Sequence, residues 1–145
     1  MHRKTPPATA VAAAVLALLG SGLIYARAQP PSMEGAVLRY ASLERADLRG
    51  VNLKAADLSD ADLSSADLRE ADLRAADLSR ANLAGADLSG ARLSRARLPG
   101  AHLGFARLEG ADLGGALCDR HTSWPDGFDP RGAGVTTVPF PADVR

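Results

Sequence analysis

The residues best equipped for chemistry are few, and their spacing does not assemble them into a site. Cys118 and His121 lie close enough in the chain to share a metal ion. Cys118 is the single cysteine, however, which excludes both a multi-thiolate zinc site and an internal disulfide. It also stands where leucine stands in every preceding repeat, a place suited to a small apolar thiol. His102 falls on an outward position and is read as solvated. Asp47, Asp57, Asp62, Asp67, Asp72, Asp77 and Asp87 could imitate an acid pair or a calcium site, but each recurs at a fixed interval and so belongs to a pattern. Trp124 sits among turn residues, where one indole serves packing rather than a ligand pocket. No nucleophile, base and orienting residue fall together, and there is no phosphate-cradling glycine loop or HExxH motif. The sequence therefore predicts no catalytic, cofactor-binding or metal-binding residue, and a protein that is not an enzyme.

What positions these side chains is a five-residue period. Leucine recurs every fifth residue from Leu38 to Leu113, and Cys118 takes the next place. Alanine stands two residues before each of these, from Ala36 to Ala116, with Val51 the exception. Asp or Asn lies between them at 47, 52, 57, 62, 67, 72, 77, 82 and 87, giving A(D/N)LXX. Internal repeats outrank composition, so the abundance of Ala and Leu does not argue for helix here. Leucines five apart would be about 140° apart around an α-helix and leave no apolar stripe. In a continuous strand an odd period would flip each leucine to the opposite face.

The chain must therefore turn within every repeat. A short extended Ala-Xaa-Leu piece points alanine and leucine inward, and a two-residue corner re-aims the chain. The residue between them and both corner residues are predicted to face solvent. Gly50, Gly85, Gly90, Gly100, Gly110 and Gly115 hold the second corner position, where a type II turn wants positive φ. Arg45, Glu70, Arg80, Arg95 and Phe105 also occur there, which argues that positive φ is not needed at every corner. Corners of one hand wind the chain into stacked coils about 4.8 Å apart, while the number of corners per coil stays open.

The run from Ala36 to Cys118 resembles the pentapeptide-repeat family. The resemblance implies an all-β fold, a right-handed quadrilateral parallel β-helix with four repeats per coil, about four coils in all, in which residues 20 apart stack. Arg92, Arg97, His102 and Arg107 depart from the usual Asp or Asn, a change expected to alter the surface alone. The domains are then residues 1–28, a signal peptide or membrane anchor; 29–35, a linker and N-terminal cap; 36–118, the β-helix; and 119–145, a C-terminal cap and tail. The register ends after Cys118, so this last segment is expected to cover the open end rather than add a coil, with Trp124, Phe128, Val135, Val138 and Phe140 as its apolar side chains. Met33, Val37 and Tyr40 are the candidates for shielding the first coil.

The N-terminus begins basic, His2-Arg3-Lys4, and residues 5–26 carry no charge. Ala26-Arg27-Ala28 offers the small residues a signal peptidase reads, so cleavage before Gln29 would export the chain to the periplasm or medium. The alternative is retention of residues 5–26 as a single-pass tether, with the repeats outside the cytoplasm. Family members that mimic DNA bind DNA gyrase through an acidic rod, which gives the alternative functional reading. From Ala36 to Cys118 there are 11 basic and 12 acidic residues, nearly neutral, where a mimic of duplex DNA needs dense negative charge. The leading expectation is a non-catalytic extracytoplasmic module, a protein-interaction or structural scaffold with an unknown protein or envelope partner. No small-molecule substrate is expected, and nucleic acid is disfavoured.

Overall fold

The computed structural model describes residues 32–139, and the expectations for the N-terminal segment and for Phe140 lie outside them. Within this range almost every repeat consists of one isolated parallel bridge and one turn. Bridges join residues 20 apart, from Ser32 with Asn52 to Arg97 with Leu117, so four repeats complete one circuit. The longer strands are β1, Leu117–Cys118, and β2, Thr136–Thr137, which pair in parallel.

One repeat accounts for all its main-chain donors. Leu58 N–H donates to the Asp77 carbonyl at 2.8 Å and Asp60 N–H to that of Ser79 at 3.0 Å, both on the next coil. Asp57 N–H donates to the Ala36 carbonyl of the coil before, at 2.9 Å. Ala61 N–H closes the turn on the Leu58 carbonyl at 3.1 Å. The fifth donor, Ser59 N–H, is taken by the side chain of Asp57 at 3.1 Å. Buried or edge-on peptide groups must find partners, and here an Asp or Asn side chain completes the set, as in an Asx turn. Aspartate at the middle position is thus structural, a role that periodicity alone had assigned to solvation.

Positive φ occupies the second corner position in every repeat from Gly35 to Gly115. Ten of these residues are not glycine, and among them Arg45, Glu70, Arg80, Arg95 and Phe105 have φ of 58°, 59°, 57°, 61° and 60°. The expectation that ordinary residues release the corner from positive φ is therefore corrected. A type II turn fixes that geometry, and the stacked bonds above and below outweigh a left-handed cost of about 1–2 kcal/mol per residue.

Alanine and leucine point inward as the period predicts, and Leu43 to Leu103 each expose 1% or less. The solvent-facing assignment of corners needs one correction. Ser59 and Ser79 are buried, at 5% and 8%. Both are small and fold beside their own aspartates, and Arg39 reaches from the coil before toward Asp57 and Asp60 on either side of Ser59. At the N-terminal end Met33 is buried in the leucine register, with Ser32 already bridged. Val37 and Tyr40 shield nothing there: they are 64% and 70% exposed, on the outward and corner positions. Arg39 stacks on the Tyr40 ring at 5.5 Å.

After Cys118 the period ends but the winding does not stop on all faces. Ser123 pairs with His102, an interval of 21, and β2 pairs with β1 at an interval of 19. The described residues of the tail thus add pairing on two faces, and there the expectation of no further coil is corrected. Val135 is buried, and half-buried Trp124 and Phe128 stack at 5.1 Å and pack against the core. Val138 N–H donates to the Cys118 carbonyl at 2.7 Å.

Candidate functional site: the outward faces

The side chains available to a partner stand in vertical columns, because each bridge places residue i beside residue i+20. One column runs Asp47, Asp67, Asp87, Arg107; a second runs Asn52, Asp72, Arg92, Asp112; a third runs Val37, Asp57, Asp77, Arg97. Stacked carboxylates about 4.8 Å apart repel one another, and arginine relieves this in two ways. Arg49, Arg69 and Arg74 fold back on the aspartate two residues earlier, Arg69 Nε donating to Asp67 at 2.8 Å. Arg92, Arg97 and Arg107 instead reach the aspartate one coil back, at 3.8, 3.4 and 3.7 Å from Asp72, Asp77 and Asp87. These are the positions where the sequence departs from Asp or Asn.

That exchange has a cost the sequence conceals, since arginine cannot accept the N–H of the following corner. The corner after Arg97 is Pro99, which has no N–H to satisfy. Ser94 and Gly104, which follow Arg92 and His102, stand at corners without that side-chain acceptor, and where Asp returns at 112 the bond to Gly114 N–H returns, at 3.0 Å.

Five carboxylates of the coils are held below their ordinary range. Hydrogen bonds from Arg49, Arg80 and Arg74 do this first for Asp47, Asp60 and Asp72, and from Ser64 and Ser89 for Asp62 and Asp87. At Asp119 burial is the largest influence and pushes upward. Donation from Gly100 N–H, His121 N–H and the Thr122 hydroxyl outweighs it, and the carboxyl ends below its usual value.

The other candidates stay apart. Cys118 is buried in the leucine register, its Sγ 3.8 Å from the Thr137 hydroxyl, while His121 is exposed. Among the described residues no three His, Cys, Asp or Glu side chains gather as metal ligands. His102 is outward, stacked over Asn82. A cavity of about 360 Å³ has Arg80, Arg97 and Val138 in its lining, but Asp60 and Asp77 already engage the two guanidiniums.

The family model described as pentapeptide repeats (8 copies) matches residues 32–54, 56–95 and 76–115. The chain belongs to the pentapeptide-repeat family. Its fold is accordingly a right-handed β-helix, a conclusion the described residues share with solved members. The pentapeptide-repeat protein alr5209 from Nostoc PCC 7120 is 36% identical over 95% of this chain and 100% of its own, with a TM-score of 0.62. Rfr23 from the cyanobacterium Cyanothece 51142 is 38% identical, covering 72% of this chain and 71% of its own, with a TM-score of 0.68. AT2G44920 from the Arabidopsis thaliana thylakoid lumen is 34% identical over 59% of each chain, with a TM-score of 0.57. No curated protein matches the chain. Among the described residues no helix is long and apolar enough to cross a membrane.

Proposed function

We propose that this pentapeptide-repeat protein is a non-catalytic scaffold working outside the cytoplasm, its faces presenting fixed rows of side chains to a protein or envelope partner. About four coils form the rod, and the segment from Asp119 onward covers part of its C-terminal end. The observation that carries this reading is the internal pairing of charge: Arg92, Arg97 and Arg107 each answer an aspartate one coil back. Such faces offer shape and paired dipoles rather than a field, which suits a protein surface. A mimic of duplex DNA needs its acids unanswered, so the gyrase-directed reading is not favoured. Export is supported by the uncharged stretch 5–26 and by Ala26-Arg27-Ala28. The Arabidopsis relative is likewise named for a membrane-enclosed compartment, the thylakoid lumen.

Photo-crosslinking residues placed one at a time at Ser64, Arg74, Ser89 and Pro99, one on each face, in the native host test this. Discrete adducts with one envelope protein, confined to one or two faces and formed by a chain beginning at Gln29, are expected. Adducts with gyrase, or none from any face, would sink the reading.

A further inference from the structure

Among the described residues, the C-terminal end of the rod is closed on two faces and open on two. On the closed faces Leu103 N–H donates to the Ser123 carbonyl at 2.8 Å, and Thr136 N–H donates to the Ala116 carbonyl at 2.8 Å. Between these points the chain from Pro125 to Gly134 bonds mainly to itself: Phe128 N–H to the Pro125 carbonyl, Ala133 N–H to that of Asp129, Val135 N–H to that of Pro130. The strand pieces beneath it are left bare. Phe105 N–H, Ala106 C=O, Leu108 N–H, Gly110 N–H, Ala111 C=O and Leu113 N–H have no main-chain partner among the described residues, although the equivalent groups one coil earlier are all paired.

Side chains mark the same place. Leu108 is the one leucine of the register from Leu38 to Leu113 that is only half-buried, and Ala111 beside it is also half-exposed. A cleft of about 300 Å³ separates Ala106, Leu108 and Glu109 from the turn Pro125 to Phe128. At the corner where the bare edge begins, Phe105 is 88% exposed with φ of 60°, an expensive conformation for a bulky residue that packs against little. Glu109 and Asp126 stand on the rim, Glu109 with Arg107 3.8 Å away at an exposed position where a lysine can compete for it, so the cleft has carboxylates outside and is apolar within.

We propose that the first face of this edge, from Phe105 to Gly110, is a strand-addition site for an extended peptide of a partner protein, one with an apolar side chain flanked by lysine or arginine. Unpaired main-chain groups in a row supply ladder bonds to any extended segment, and pockets for alternate side chains then select among segments. The peptide runs parallel to residues 106–108, as every bridge in the fold does. Its apolar side chain enters between Leu108 and Phe128, and its cations meet Glu109 and Asp126. This site rests on the scaffold reading above and adds to the contacts of its faces one at the end of the rod.

The test uses the full chain and two blocked peptides, acetyl-Lys-Thr-Val-Thr-Leu-Lys-amide and the same sequence with both lysines replaced by glutamate. Amide exchange at Phe105, Leu108 and Gly110 is followed by NMR. The lysine peptide should slow these three amides about tenfold or more, and the glutamate peptide should bind about tenfold more weakly. The double variant Glu109→Lys, Asp126→Lys, which alters only exposed positions, should reverse that preference. Three results would overturn the site: no slowing with millimolar lysine peptide; amides already slow in the free chain but released by ending it at Pro139, which gives the edge to the chain's own last residues; or protection that rises with protein concentration, which gives it to a second copy. Failure here with face-specific crosslinks intact would leave the scaffold reading standing.

Discussion

Leu78 and Leu108 occupy the same register six repeats apart, yet Leu78 is fully buried and Leu108 is not. Above Leu78 lies another coil of the same period, whose Arg97 carbonyl accepts its N–H at 2.8 Å. Above Leu108 lies a loop whose bonds are mostly its own. The middle of the rod is held by repetition, since each coil completes its neighbours, whereas the C-terminal end depends on an aperiodic segment whose described residues reach only part of the disc. Burial of a residue in a solenoid is therefore a property of the next coil as much as of its own repeat.

The most severe test of this contrast is Leu78→Asp against Leu108→Asp. At Leu78 an unpaired carboxylate would be buried, at several kcal/mol, with a further loss of about 1.5–3 kcal/mol for the leucine. That is enough to remove most of a small domain's stability, and circular dichroism should show no cooperative melt. Leu108→Asp should still fold, with a lowered melting temperature. Equal melts for the two variants would erase the distinction between middle and end.

Removing Ser123 to Arg145 strips the pairing from the face of His102 and the covering pair Trp124 and Phe128. The truncated chain should self-associate in light scattering, because the exposed disc then carries Leu103 and Leu113 as well as bare edges. A monodisperse monomer of unchanged melting temperature would reduce the tail to a linker.

Acid should loosen the middle before the tail. Asp47, Asp60, Asp62, Asp72 and Asp87 are held below their ordinary range in the coils, against Asp119 alone at the end. A carboxylate whose folded value is depressed adds stability above its unfolded value, near 4, and loses it as pH falls through the folded one. Melting temperature should thus be flat from pH 7 to about 5 and drop steeply below about 4. A decline that begins above pH 6 would point to histidine instead.

The smallest effect concerns the corners. Phe105→Gly relieves a left-handed cost of about 1–2 kcal/mol, offset by about 0.4–1 kcal/mol of added freedom in the unfolded chain. The melt should rise slightly, since an 88% exposed ring loses little packing. A marked drop would mean that Phe105 packs against something in the folded protein.

Much of this was legible from spacing. The inward leucines, the turn in every repeat and the apolar role of Cys118 follow from a five-residue period and the geometry of strands and helices. Other features were hidden for identifiable reasons. Arg45 and Phe105 at the second corner look like evidence against positive φ, because a list of residues cannot show how much strain the stacked bonds above and below will hold. Asp57 looks like a solvated charge, because its service to Ser59 N–H depends on a turn whose other donors are already engaged. Ser123 looks like part of a cap, because an interval of 21 escapes a search for multiples of five.

The sequence by itself determined which side chains face inward from Ala36 to Cys118, since period two within a strand piece and period five between pieces admit one consistent arrangement. Only the tertiary structure decided what the aperiodic tail does. Its pairing with His102 and with β1, and the bare edge from Phe105 to Leu113, arise from contacts 19 to 21 residues apart that no local pattern encodes. Repetition carries its own partners along the chain, whereas a segment without it is placed by whatever surface the last coil leaves unpaired.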